Sequence, residues 1–118
     1  MGGVYQQPSC VYASARGLLC EALRIRHRLG LRRGYAYSFE SLAQVNEDEG
    51  CYEQAVQLWA AADALRGRIG APLEQVTRKN YVDAFIRLRT GLGDVAFELA
   101  WSKGAAMTTE QAIVLALS

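Results

Sequence analysis

A chain of 118 residues supports one domain with a modest core, and its 51% apolar content with only two prolines suits helices and argues against a disordered tail. No apolar run reaches the roughly eighteen residues that cross a bilayer, and the opening MGGVYQQPSC lacks the charged start and apolar block of a signal peptide, so a cytoplasmic protein is the default expectation. The net charge of +1 is segregated: residues 1–33 hold six arginines and one acid, residues 34–65 six acids and no Lys or Arg, and the remainder seven basic and five acidic residues. Helices of opposite sign are expected to attract one another within the fold or between neighbouring copies.

In chain order, residues 1–10 read as a poorly structured lead, because Met1-Gly2-Gly3 and Pro8 are poor helix material. A helix opens near Val11 and is punctuated by Gly30 and Gly34. The next helix carries Phe39, Leu42 and Ala43 and closes on Glu47, Asp48 and Glu49 before Gly50. Those carboxylates oppose the helix dipole and are expected to be solvated or paired with an arginine. A third helix runs to about Ile69, where Gly70-Ala71-Pro72 stops it. Beyond it, Val76, Tyr81, Ala84, Phe85, Leu88 and Leu92 mark one amphipathic helix. Gly91 and Gly93 break it, and Val95 to Lys103 forms a shorter one. Thr108 with Gln111 is a capping box opening a last helix through Leu117.

The chain matches itself at a shift of forty residues. Tyr12, Ala15, Ala22, Arg26, Arg28, Leu29 and Gly30 meet Tyr52, Ala55, Ala62, Arg66, Arg68, Ile69 and Gly70. Such a period marks a helical repeat array, in which each unit buries its apolar face against the next. The second unit resembles the tetratricopeptide pattern, with Phe39, Leu42 and Ala43 in its first helix, Gly50 and Tyr52 at the turn, and Ala55, Trp59 and Ala62 in its second. The expected fold is all-α: a right-handed stack of antiparallel helical hairpins over residues 11–70, with a non-repeating cap of helices over 73–118, in one domain. The first unit lacks a convincing first helix, so the face bearing Leu18, Leu19 and Leu23 is expected to self-associate, giving a homo-oligomer such as a dimer.

Three strings, EALRIRHRLGLRRGYAYSFESLAQV, CYEQAVQLWAAADALRGRIGAPL and AFELAWSKGAAMTTEQAIVLAL, resemble the C-terminal end of large bacterial regulators. In that family a nucleotide-binding ATPase module precedes tetratricopeptide-like repeats, often with a LuxR-type helix-turn-helix or a cyclase domain elsewhere. The ending Trp101, Gly104, Thr108, Glu110, Ala112 is the most specific part of the resemblance. It implies a signal-receiving or assembly segment without catalysis of its own. No GxxxxGK[ST] and no DNA-reading helix-turn-helix is present, so the chain is expected to be a fragment of such a regulator or a free-standing relative.

Candidate sites are few. By the resemblance, Tyr37, Glu40, Ser41, Gln44, Glu47 and Asp48 line a concave groove that could take a Lys- or Arg-bearing peptide, against the plainer reading of a solvated helix face. Arg24, Arg28, Arg32 and Arg33 form a basic patch. Phosphate contact is one reading of it, but interleaved aromatics are absent, and Arg26 and Arg28 recur as Arg66 and Arg68, which favours a structural role. Nucleic acid is therefore not the expected partner. Cys10, Cys20 and Cys51 have no metal-ligand spacing, and His27 cannot assemble a triad with Cys20, so no catalytic residue, metal or cofactor is expected. Trp59, Tyr81, Phe85, Phe97 and Trp101 read as core before they read as a ligand pocket. The functional expectation is a non-catalytic protein–protein interaction module of a regulatory assembly. A small-ligand sensor with an inter-helix apolar pocket is the alternative, and a nucleic-acid accessory domain stands behind it.

Overall fold

The computed structural model describes the backbone of residues 3–70 and 75–117, and the side chains of 15–32, 34–68 and 81–117. Among these residues six helices follow one another: α1 (Gly3–Leu29), α2 (Arg32–Asp48), α3 (Tyr52–Ile69), α4 (Gln75–Leu92), α5 (Asp94–Ala105) and α6 (Thr109–Leu117). The expected stop at Pro72 lies outside the described residues. α1 begins at Gly3 rather than near Val11. Pro8 falls in its second turn, where a proline removes one backbone bond close to an end whose first N–H groups are unpaired in any helix.

Consecutive helices run antiparallel. Arg26, late in α1, donates to Ser38 early in α2 at 2.6 Å, while Arg16 meets Asn46 and Glu49 at the far end of α2. Arg66, late in α3, likewise returns to Glu40 in α2. The Tyr81 hydroxyl donates to the Trp59 carbonyl at 3.0 Å, which sets α4 against α3. Phe85 against Trp101 and Arg89 against Asp94 set α5 against α4.

The forty-residue register is visible at the helix ends. Gly30 and Gly70 follow α1 and α3 with φ of 71° and 67°, the left-handed conformation that ends a helix at no steric cost only for glycine. The capping box also forms: the Thr108 N–H donates to Gln111 Oε1 at 2.9 Å, and the Gln111 N–H donates to Thr108 Oγ1 at 3.1 Å.

α3 is the centre of the molecule, touching α2, α4, α5 and α6. Its Ala55, Val56, Leu58, Ala60 and Ala62 are fully buried. The small side chains let neighbouring axes approach, and Phe39, Leu42, Leu65 and Leu88 fill the space between. The closest approach is at Gly104 of α5. A Cβ there would sit 2.2 Å from the Gln57 carbonyl oxygen and 2.7 Å from the Gln57 Cα, so only glycine lets the two backbones meet.

The C-terminal helices do not simply extend the stack. α6 turns back to touch α1, α2 and α3, with Cys20 Sγ 3.8 Å from the Ala116 carbonyl oxygen and His27 Nε2 3.1 Å from Glu110 Oε2. The beginning and the end of the described chain are thereby closed onto each other, antiparallel once more.

Candidate interaction surface

Successive residues of a helix lie about 100° apart, and this rotation decides which α1 side chains remain outside. Leu23 is fully buried and Leu19 packs partly against the core, so neither forms the exposed face expected of Leu18, Leu19 and Leu23. Leu18 alone of the three stays out, at 75% exposure. It heads a different line. Leu18, Ala22, Ile25 and Leu29 recur at steps of four, three and four, and Ile25 and Leu29 are 42% and 65% exposed. Ala22 is half-buried between them. This is the spacing of a helix–helix seam, and it is legible in the sequence as apolar residues at steps of four, three and four.

Three of these four positions are covered forty residues on, and the side chain of the fourth, Ile69, lies outside the described residues. Forty residues on, Leu58 and Ala62 are 0% exposed and Leu65 is 1% exposed. They lie on α3, against which α2 is packed from the N-terminal side of the chain. At Leu18 and Ile25, α1 therefore presents as open surface positions whose counterparts on α3 are buried.

Beside this edge lie the residues expected to line a groove. Tyr37, Gln44 and Asp48 are exposed and Ser41 is half-buried, four residues on one line of α2. Arg26 links the two, since its guanidinium bonds Ser38 and lies 5.5 Å from the centre of the Tyr37 ring. Glu40 and Glu47 are not part of the open line. Glu40 is buried and accepts two bonds from Arg66, at 2.7 and 2.8 Å, because its position turns it toward α3. Glu47 accepts from Arg87 of α4 at 2.7 and 3.1 Å.

These pairs explain the segregated charge. The acidic middle of the chain is met from both flanks: Glu49 by Arg16, Glu40 by Arg66 and Glu47 by Arg87. The hydrogen bond to Glu40, with burial opposing it, raises the pKa of Arg66, and the bond to Glu47 does the same for Arg87. Among the basic-patch residues, Arg24, Arg28 and Arg32 are exposed, and Arg24 makes only a 3.6 Å contact with Glu21. The side chain of Arg33 lies outside the described residues.

The five aromatic residues fill one another. Trp59 and Tyr81 meet edge-on at 4.8 Å, Tyr81 and Phe85 at 4.3 Å, Phe85 and Trp101 at 4.8 Å, and Phe97 stacks on Trp101 at 6.1 Å. Each such contact adds about 0.5–1.5 kcal/mol beyond area burial. Burial, with a nearby Asp63, pushes the Tyr81 hydroxyl far above the ordinary tyrosine range. A separate open cleft of about 500 Å3 lies where the α1–α2 corner faces the start of α6, lined by His27, Arg32, Tyr35, Thr108 and Glu110 among others. Cys20 is buried and Cys51 exposed. Among the described residues, no three His, Cys, Asp or Glu side chains cluster as a metal site, and no helix is long and apolar enough to cross a membrane.

No family model and no solved structure matches the chain. Curated relatives do. It is 32% identical over 95 residues to proteins named as HTH-type transcriptional regulators, one from Mycobacterium bovis and two from strains of Mycobacterium tuberculosis. The match covers 80% of this chain but only 11% of each relative, so the chain spans about a tenth of the length of the regulators it resembles.

Proposed function

We propose that the chain is a non-catalytic protein-interaction module of a regulatory assembly, built as a tetratricopeptide-like right-handed stack, which accepts a further helix along the outer edge of α1. One observation carries this reading. Leu18 and Ile25 stand open, with Ala22 half-buried between them, at positions whose counterparts forty residues on, Leu58, Leu65 and Ala62, are buried. A helix laid there would remove apolar surface from water, worth about 25 cal/mol per Å2, and would run beside the polar line of Tyr37, Ser41, Gln44 and Asp48. Glu40 and Glu47, committed to Arg66 and Arg87, would hold α2 in place rather than touch the partner. Similarity to large mycobacterial regulators favours a setting in which such a module docks onto other regulator domains.

The test is a labelled helical peptide with the sequence of α2, residues 32–48, titrated against the full chain by fluorescence anisotropy. Saturable binding in the micromolar range, lost in Leu18→Glu and Leu29→Glu, is the expected result. Binding that ignores both substitutions, or no binding at all, would remove the reading.

A further inference from the structure

The exposed seam of α1 is self-complementary, in pattern and in charge. Among the described residues, Leu18, Ala22, Ile25 and Leu29 are symmetric about a point midway between Ala22 and Ile25. When two copies of α1 are laid antiparallel about that point, Leu18 of one faces Leu29 of the other, and the small Ala22 faces the β-branched Ile25. Large residues meet at the ends and a small one meets a branched one in the middle, which fills a helix–helix interface without overpacking.

The flanking charges favour this orientation. Glu21 and Arg28 precede Ala22 and Leu29, and both are exposed on the solvent side of the seam. In the antiparallel pairing Glu21 of each copy falls beside Arg28 of the other, giving two ion pairs by symmetry. A parallel pairing brings Glu21 opposite Arg26, whose guanidinium is already bound to Ser38 and lies over Tyr37. On the other side of the seam, the helix is occupied by its own contacts to α2 and α6.

Resting on the helix-docking reading above, we infer that the occupant of the α1 edge is α1 of a second copy, in a two-fold antiparallel dimer held by Leu18, Ala22, Ile25 and Leu29 and keyed by Glu21 and Arg28. The seam is short, so the dimer belongs to the reversible micromolar class rather than the obligate one. Its isologous geometry places each residue and its partner in contact twice.

Absolute mass by light scattering over a dilution series of the full chain tests this, with helical content followed by circular dichroism. The chain should pass from dimer to monomer on dilution, and Ile25→Glu should be monomeric throughout with unchanged helicity. Glu21→Arg and Arg28→Glu should each weaken the dimer by about tenfold, through like charges placed side by side. The double variant carrying both should dimerise as the unchanged chain does. A dimer that survives Ile25→Glu, or a double variant no better than the singles, overturns the antiparallel pairing. A chain that is monomeric at all concentrations overturns the dimer, and the peptide titration then separates two cases. If the α2 peptide still binds the edge, helix docking stands with a different occupant; if it does not, both fall.

Discussion

The Arg66 guanidinium holds both carboxylate oxygens of Glu40, through Nε at 2.7 Å and Nη2 at 2.8 Å, in the interior between α3 and α2. The two side chains retain only 18% and 8% of their exposure. A planar fork on a carboxylate is the strongest form of this contact, and burial makes each partner depend on the other. Arg26, forty residues earlier on α1, reaches the same helix from the opposite side at Ser38. α2 is thus gripped by two arginines forty residues apart. Arg66→Ala should cost about 3 kcal/mol, because it strands a buried carboxylate. Removing both ends of the pair, as in Glu40→Leu with Arg66→Met, should cost distinctly less. Urea unfolding followed by circular dichroism measures both.

Gly104→Ala should be among the most damaging small substitutions in the chain. The added methyl would meet Gln57 backbone atoms at 2.2–2.8 Å, and backbone cannot swing aside as a side chain can. Overpacking of this kind costs about 1–3 kcal/mol, so a lowered melting temperature with α5 loosened from α3 is expected. Gly17→Ala is the control, since nothing lies within 4 Å of its added Cβ. That change should be neutral or slightly stabilising, because alanine favours a helix over glycine by about 1 kcal/mol.

Stability should fall at alkaline pH through Tyr81. Its pKa is raised above the ordinary value of 10.0 first by burial, then by Asp63 and Glu40. A raised folded-state pKa means that the folded chain holds the proton more tightly than the unfolded chain. The contribution is complete below the unfolded value and is lost as pH rises beyond about 10. Tyr81→Phe should flatten that decline while losing the bond to the Trp59 carbonyl at neutral pH. Tyrosinate absorbance and circular dichroism, recorded together across the alkaline range, separate the two effects.

The exposed ion pair gives a contrasting expectation. Arg87 keeps 51% exposure where it meets Glu47, so Arg87→Ala should change stability by no more than about 1 kcal/mol, and less in high salt. Thr108→Ala, which removes half of the capping box at α6, should cost about 1 kcal/mol and fray the helix that closes onto α1.

Helical periodicity, the glycines forty residues apart and the Thr108–Gln111 spacing are local features, and each made its element legible in the chain before any tertiary contact was known. The aromatic spacing of α4 and α5 likewise pointed to a core, since rings four residues apart, as Tyr81 and Phe85 or Phe97 and Trp101, share a helix face. Three matters were settled only by packing. Leu23 went inside and Leu18 stayed out because the azimuth at which α2 and α6 meet α1 is a property of the assembled helices. Glu40 left the expected groove because Arg66, twenty-six residues away in sequence, lies across the interface from it. The return of α6 to α1 joins Cys20 to Ala116, ninety-six positions apart, which no local pattern encodes. By itself the sequence determined which stretches beyond Val11 are helical, because those choices rest on backbone propensity and caps, but it missed the start of α1 at Gly3. Only the tertiary structure decided which apolar face of α1 remains uncovered, because that depends on how many neighbours reach it.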